Sequence, residues 1–108
     1  MTRSVDRERE AAIIAELSSA KSACRYLMMV ENPAWLMKVW LLIHNHPRRV
    51  AASIFPGKGG VVATETLGAI AANRATELMC RRRGDELAAG TYARIVELCI
   101  ERLPDWAK

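Results

Sequence analysis

Arginine is the residue type through which this chain could do chemistry, and it gathers at two places. Arg81, Arg82 and Arg83 are consecutive, and Arg48 and Arg49 with Lys58 make a second cluster. Guanidinium and ammonium groups at this density are phosphate ligands. If both clusters shared one surface, they would form a nucleic-acid interface reading the backbone rather than the bases. The run from Arg48 to Phe55, a turn and then a helix has the order of a helix-turn-helix. Its turn is too rich in glycine, however, and the second helix too long for a recognition helix. Arg81–Arg83 also have an explanation that needs no ligand, because they close a helix whose negative pole favours cations.

The other reactive side chains are thinly spread. Cys24, Cys80 and Cys99 are odd in number, far apart and embedded in helical apolar patterns, which reads as small buried hydrophobes in a reducing cytoplasm. Lys58-Gly59-Gly60-Val61 resembles the glycine-rich phosphate loop of some ATPases. The likeness ends at Ala63, where the phosphate-binding lysine should stand, and no strand precedes the loop. The segment reads instead as a flexible connector. His44-Asn45-His46 spells a nuclease motif without its strands or acidic ligands. Two histidines two residues apart on a helix diverge, whereas a helical metal pair needs the i, i+4 spacing. No serine or cysteine sits in a nucleophile elbow, and the acids mostly alternate with bases. The expectation is a protein with no catalytic residues, no metal and no cofactor.

The elements that must position these residues are helices throughout. From Ser4, with Asp6 and Glu8 near the positive end of the dipole, Ile13, Leu17, Ala20, Cys24 and Leu27 recur at steps of three and four. They predict one amphipathic helix to about Val30, ended by Glu31-Asn32-Pro33. A second helix runs to about His46, and Pro47 opens a short one through Arg48 to Phe55. Pro56 to Gly60 is a loop. A long helix over Val61 to Arg82 carries Gly68, Ala71, Ala72 and Ala75 on one flank, where a bulky neighbour can come close. Gly84 terminates it. Asp85 to Gly90 reads as a single turn, and Thr91 caps a last helix with Tyr92, Ile95, Val96, Cys99 and Leu103 facing inward. Pro104 closes that helix, and Trp106 folds back onto the bundle. The fold class is all-α: a small bundle of four main helices plus one short connecting helix, in one domain spanning 1–108.

The helix after Pro33 is the most informative element. Between Ala34 and Ile43 only Lys38 is polar, and Trp35 and Trp40 stand among Leu36, Met37, Val39, Leu41 and Leu42. A helix apolar on nearly every side must be enclosed by protein or lipid. At about 1.5 Å per residue it is roughly 20 Å long, short of the roughly 30 Å hydrocarbon layer, so no membrane partner is expected. It is therefore expected at the centre of the bundle, either wrapped on all sides by the other helices or with one flank left over for an interface. That flank would be either Trp35 with Leu42 or Met37 with Leu41, beside Trp40.

Composition sets the remaining bounds. The chain has 108 residues, 51% hydrophobic and 26% charged, and a net charge of +4. These are globular values. Most of the cations are arginine in an alanine-rich chain, a pairing that a GC-rich genome produces whatever the function, so the charge alone says little about nucleic acid. No apolar leader follows the charged N-terminus, and a cytoplasmic location is expected. The function expected is a non-enzymatic helical interaction or regulatory protein, docking an apolar helical face on another protein or on itself as a homodimer. The alternative is a basic accessory protein contacting nucleic-acid phosphates.

Overall fold

Prolines and capping side chains set most of the boundaries. The computed structural model describes residues 2–108, with α1 over Thr2–Ser19, α2 over Ala23–Met29, α3 over Pro33–Asn45, α4 over Pro47–Ile54, α5 over Gly60–Arg82 and α6 over Glu86–Arg102. A 3-10 turn, Asp105–Ala107, follows. Pro33 and Pro47 each occupy the first turn of a helix, where a missing N–H costs nothing. The Asn32 side chain caps α3 by accepting from the Trp35 N–H at 3.2 Å. Gly84, at φ 78°, provides the left-handed residue after α5. No strand occurs among the described residues, and no helix is long and apolar enough to cross a membrane.

Among the described residues there are six α-helices, and the four-plus-one expectation is corrected at two places. The helix expected from Ser4 to Val30 is two helices, with Ser4 inside the first of them. The apolar period runs on across the break, but the serines compete with it. Ser18 and Ser19 hydroxyls donate back to the carbonyls of Ala15 and Glu16. Ser22 is extended, accepts from the Arg25 N–H at 3.2 Å and donates to the Lys108 carbonyl at 2.6 Å. The turn expected over Asp85–Gly90 instead belongs to α6. Its cap is Asp85, whose carboxylate accepts from the Ala88 N–H at 3.1 Å, and Thr91 is an interior residue donating to the Leu87 carbonyl at 3.2 Å. Gly90 thus lies inside a helix with open space where a side chain would go. Gly90→Ala is expected to stabilise the fold by about 0.5–1 kcal/mol, raising the melting temperature by a few degrees. A lower melting temperature would show that something fills this space.

The central helix is α5. Its small residues let neighbours close in from several sides, and Gly68 meets α3 so tightly that a Cβ there would lie 3.0 Å from Ile43 Cγ2. The expected pairing of the long helix with the tryptophan helix is present, with Ile43 at this close approach. α6 turns back along α5 and packs chiefly on it, while α2 and α4 also cover α5 and α1 rests on α4 and α2. One core cluster joins Leu17, Leu27, Leu36, Val39, Val50, Leu67, Ile70 and Val96. The molecule measures 38 × 37 × 21 Å, a slab about two helix diameters thick. Trp106 folds back as expected and meets Phe55 edge to face at 5.4 Å, yet most of it is exposed.

Candidate interaction surface

The helical period of α5 separates a covered side from an open one. Leu67, Ile70 and Arg74 lie on the covered side, where the Arg74 Nη2 donates to the Met28 carbonyl of α2 at 3.3 Å. Half a turn away stand Glu65, Ala69, Ala72, Thr76 and Met79. Ala69, Ala72 and Thr76 are half-buried and Met79 is 47% exposed. α3 divides the same way. Its Trp35 edge meets Tyr26 of α2, with ring centroids 5.8 Å apart, and Leu42 beside it is only 5% exposed. The flank turned away from α1 and α2 carries Met37, Trp40 and His44. On the far side of α5, Tyr92 and Ile95 of α6 are also half-buried.

Cover varies along the tryptophan helix. Leu42 is buried and leaves the interface set for that reason, whereas Trp35 is half-buried beside Tyr26. Met37 and Trp40 remain half-covered, and neither indole is fully sealed. Leu41 is 46% exposed, but it points to the outer edge of α3. There it lines an open groove of about 390 Å³ with Asp6, Arg9 and Lys38. Trp40 stacks on His44 at 5.3 Å with an interplanar angle of 21°. Both border a small recess of about 140 Å³ that Glu65 and Gly68 complete. Sequence reasoning missed the α5 and α6 parts of this face. The available signal was the absence of charge in α5 between Glu65 and Arg74.

The two arginine clusters fall apart. Lys58 precedes α5 and Arg81 and Arg82 end it, so at about 1.5 Å per residue roughly 34 Å of helix separates them. Most of the guanidinium groups are also engaged within the molecule. Arg81 donates to Glu77 and Glu86, Arg82 to the Glu31 carbonyl at 3.1 Å, and Arg83 to the Cys80 sulfur. The bond to Glu77, foremost, holds the Arg81 guanidinium above its ordinary pKa. Arg49 is paired with Glu10, whereas Arg48 is exposed at the start of α4. A continuous phosphate-tracking stripe does not arise from this arrangement.

Comparison with family models, curated proteins and solved structures finds no match. Function must therefore be read from the geometry alone. Among the described residues no three His, Cys, Asp or Glu side chains converge as metal ligands. The three cysteines are separate free thiols. Burial, above all, pushes the Cys24 thiol above its ordinary pKa, disfavouring the thiolate that a nucleophile needs. What the molecule presents most coherently is the open side of three adjacent helices.

Proposed function

We propose that this chain is a non-enzymatic helical interaction protein that docks a protein surface through the open side of α3, α5 and α6. The observation that carries this reading is the strip Ala69, Ala72, Thr76 and Met79 beside Met37 and Trp40. It is uncharged, half-buried and drawn from two helices, and on the opposite side of α5 Arg74 reaches the Met28 carbonyl of α2. An apolar face rimmed by polar residues marks an association site. Aromatic and methionine side chains carry much of the binding energy in such sites. Glu65 and His44 border the recess beside Trp40, where charges set orientation more than affinity.

Affinity capture from the source cells tests this reading, with the unmodified chain and an Ala72→Arg variant as baits. The expected result is that the proteins retained by the unmodified chain are lost when a guanidinium stands in the middle of the strip. Identical sets of captured proteins on the two baits would remove the strip from consideration.

A further inference from the structure

We infer that the Asp105–Ala107 turn is a latch on a hinge at residues 20–22, which holds α1 folded back against α4. Released, the hinge becomes helical, and α1 and α2 join in one rod. The sequence on both sides of the hinge is already that of a single helix. Residues 2–29 contain neither glycine nor proline, and Ile13, Leu17, Ala20, Cys24 and Leu27 keep one apolar period across the bend. What prevents the rod is contact from elsewhere in the chain. The Ser22 hydroxyl donates to the Lys108 carbonyl at 2.6 Å. It also accepts from the Arg25 N–H, which in a continuous helix would bond to the Lys21 carbonyl. Ala107 is only 3% exposed, and Trp106 meets Phe55 edge to face. Both line a recess of about 220 Å³ with Leu17, Ser22 and Ile54, so the turn sits where α1, α2 and α4 come together.

α1 itself is lightly held. Among its described side chains only Ile13 and Leu17 are buried. Open grooves border it, one of about 390 Å³ with Lys38 and Leu41 of α3 and one of about 400 Å³ with Arg49 of α4. Polar ties hold it at Glu10, paired with Arg49, and at Glu16, which accepts from the Tyr26 hydroxyl at 2.9 Å. The second tie marks the bend, since a straight helix would set Glu16 and Tyr26 about 15 Å apart along its axis. Burial of Ile13 and Leu17 keeps the bent form in the majority. Opening bares these two residues and the side of α4 beneath α1, so the turn keeps an apolar arm folded away until something displaces it.

Native-state amide exchange on the whole chain tests this. Ser22→Ala removes one hydrogen bond of the latch and should speed exchange at the amides of residues 13–17 about fivefold. Trp106→Ala, at a position 58% exposed, should speed the same amides about threefold. Lys21→Gly should act with the opposite sign. Lys21 is exposed, and glycine is costly there only when the hinge turns helical, so these amides should slow about threefold. Unchanged exchange in either latch variant would show that the turn does not hold α1 and would overturn the assignment. Exchange in Lys21→Gly at or above the parent rate would show a joint that is loose rather than helical when open, which removes the rod. None of these positions belongs to the docking strip, so the two readings stand or fail separately.

Discussion

Glu77→Ala is expected to destabilise the fold by about 3–5 kcal/mol, the range for removing one partner of a buried ion pair. The Glu77 side chain is only 7% exposed and faces Arg74, 13% exposed, at 3.3 Å. Arg74 in turn donates to the Met28 carbonyl, and its Nε has no partner. Removing the carboxylate leaves a desolvated guanidinium with one hydrogen bond and no counter-charge. Arg81 also contacts Glu77, but it is largely open to water, and screening leaves its contribution small. A double replacement by leucine at Arg74 and Glu77 should recover most of the loss, because two apolar side chains need no solvation. Urea unfolding of the three chains measures both effects. A single variant within 1 kcal/mol of the parent would mean that water reaches this pair.

The second large effect is expected at Gly60. A Cβ on this residue would lie 1.9 Å from the carbonyl oxygen of Phe55, and that oxygen is backbone that cannot swing aside. Gly60→Ala must therefore pry the end of α4 from the start of α5, at a cost of about 3 kcal/mol, the upper end for overpacking. Thermal unfolding followed by circular dichroism reads this directly. A variant melting with the parent would show that the α4–α5 joint gives way easily. Gly59 takes φ 82°, Gly60 donates to the Gly57 carbonyl at 3.2 Å, and the turn is shaped by where side chains are forbidden.

What could be read in the residues was whatever local chemistry decides. Pro33, Pro47, Asn32 and Gly84 mark helix ends through their own backbone preferences, so α3, α4 and α5 fall within a residue or two of expectation. The break at Ser22 was hidden because Ile13, Leu17, Cys24 and Leu27 keep a helical period across it. Gly90 and Thr91 looked like a stop and a cap, yet Asp85 had already started the helix. The largest error was in centrality. Apolar content made α3 look innermost, but a middle helix must let neighbours approach, and that depends on small side chains such as Gly68 and Ala71. Half of the proposed docking face, Met37 and Trp40, was legible for the same apolar signal. The other half was not, because Ala69, Ala72 and Thr76 become a surface only once the neighbours of α5 are known.

The position of α5 also fixes how this molecule comes apart. Helix α1 leans mainly on α4 and α2, so it can detach while the rest persists. Amides near Leu67, Ile70 and Ala71 sit where most of the other helices meet, and they can exchange with deuterium only when the whole assembly opens. The slowest-exchanging protons should therefore cluster along one rod, and the rate at which they disappear would report global unfolding without any added denaturant.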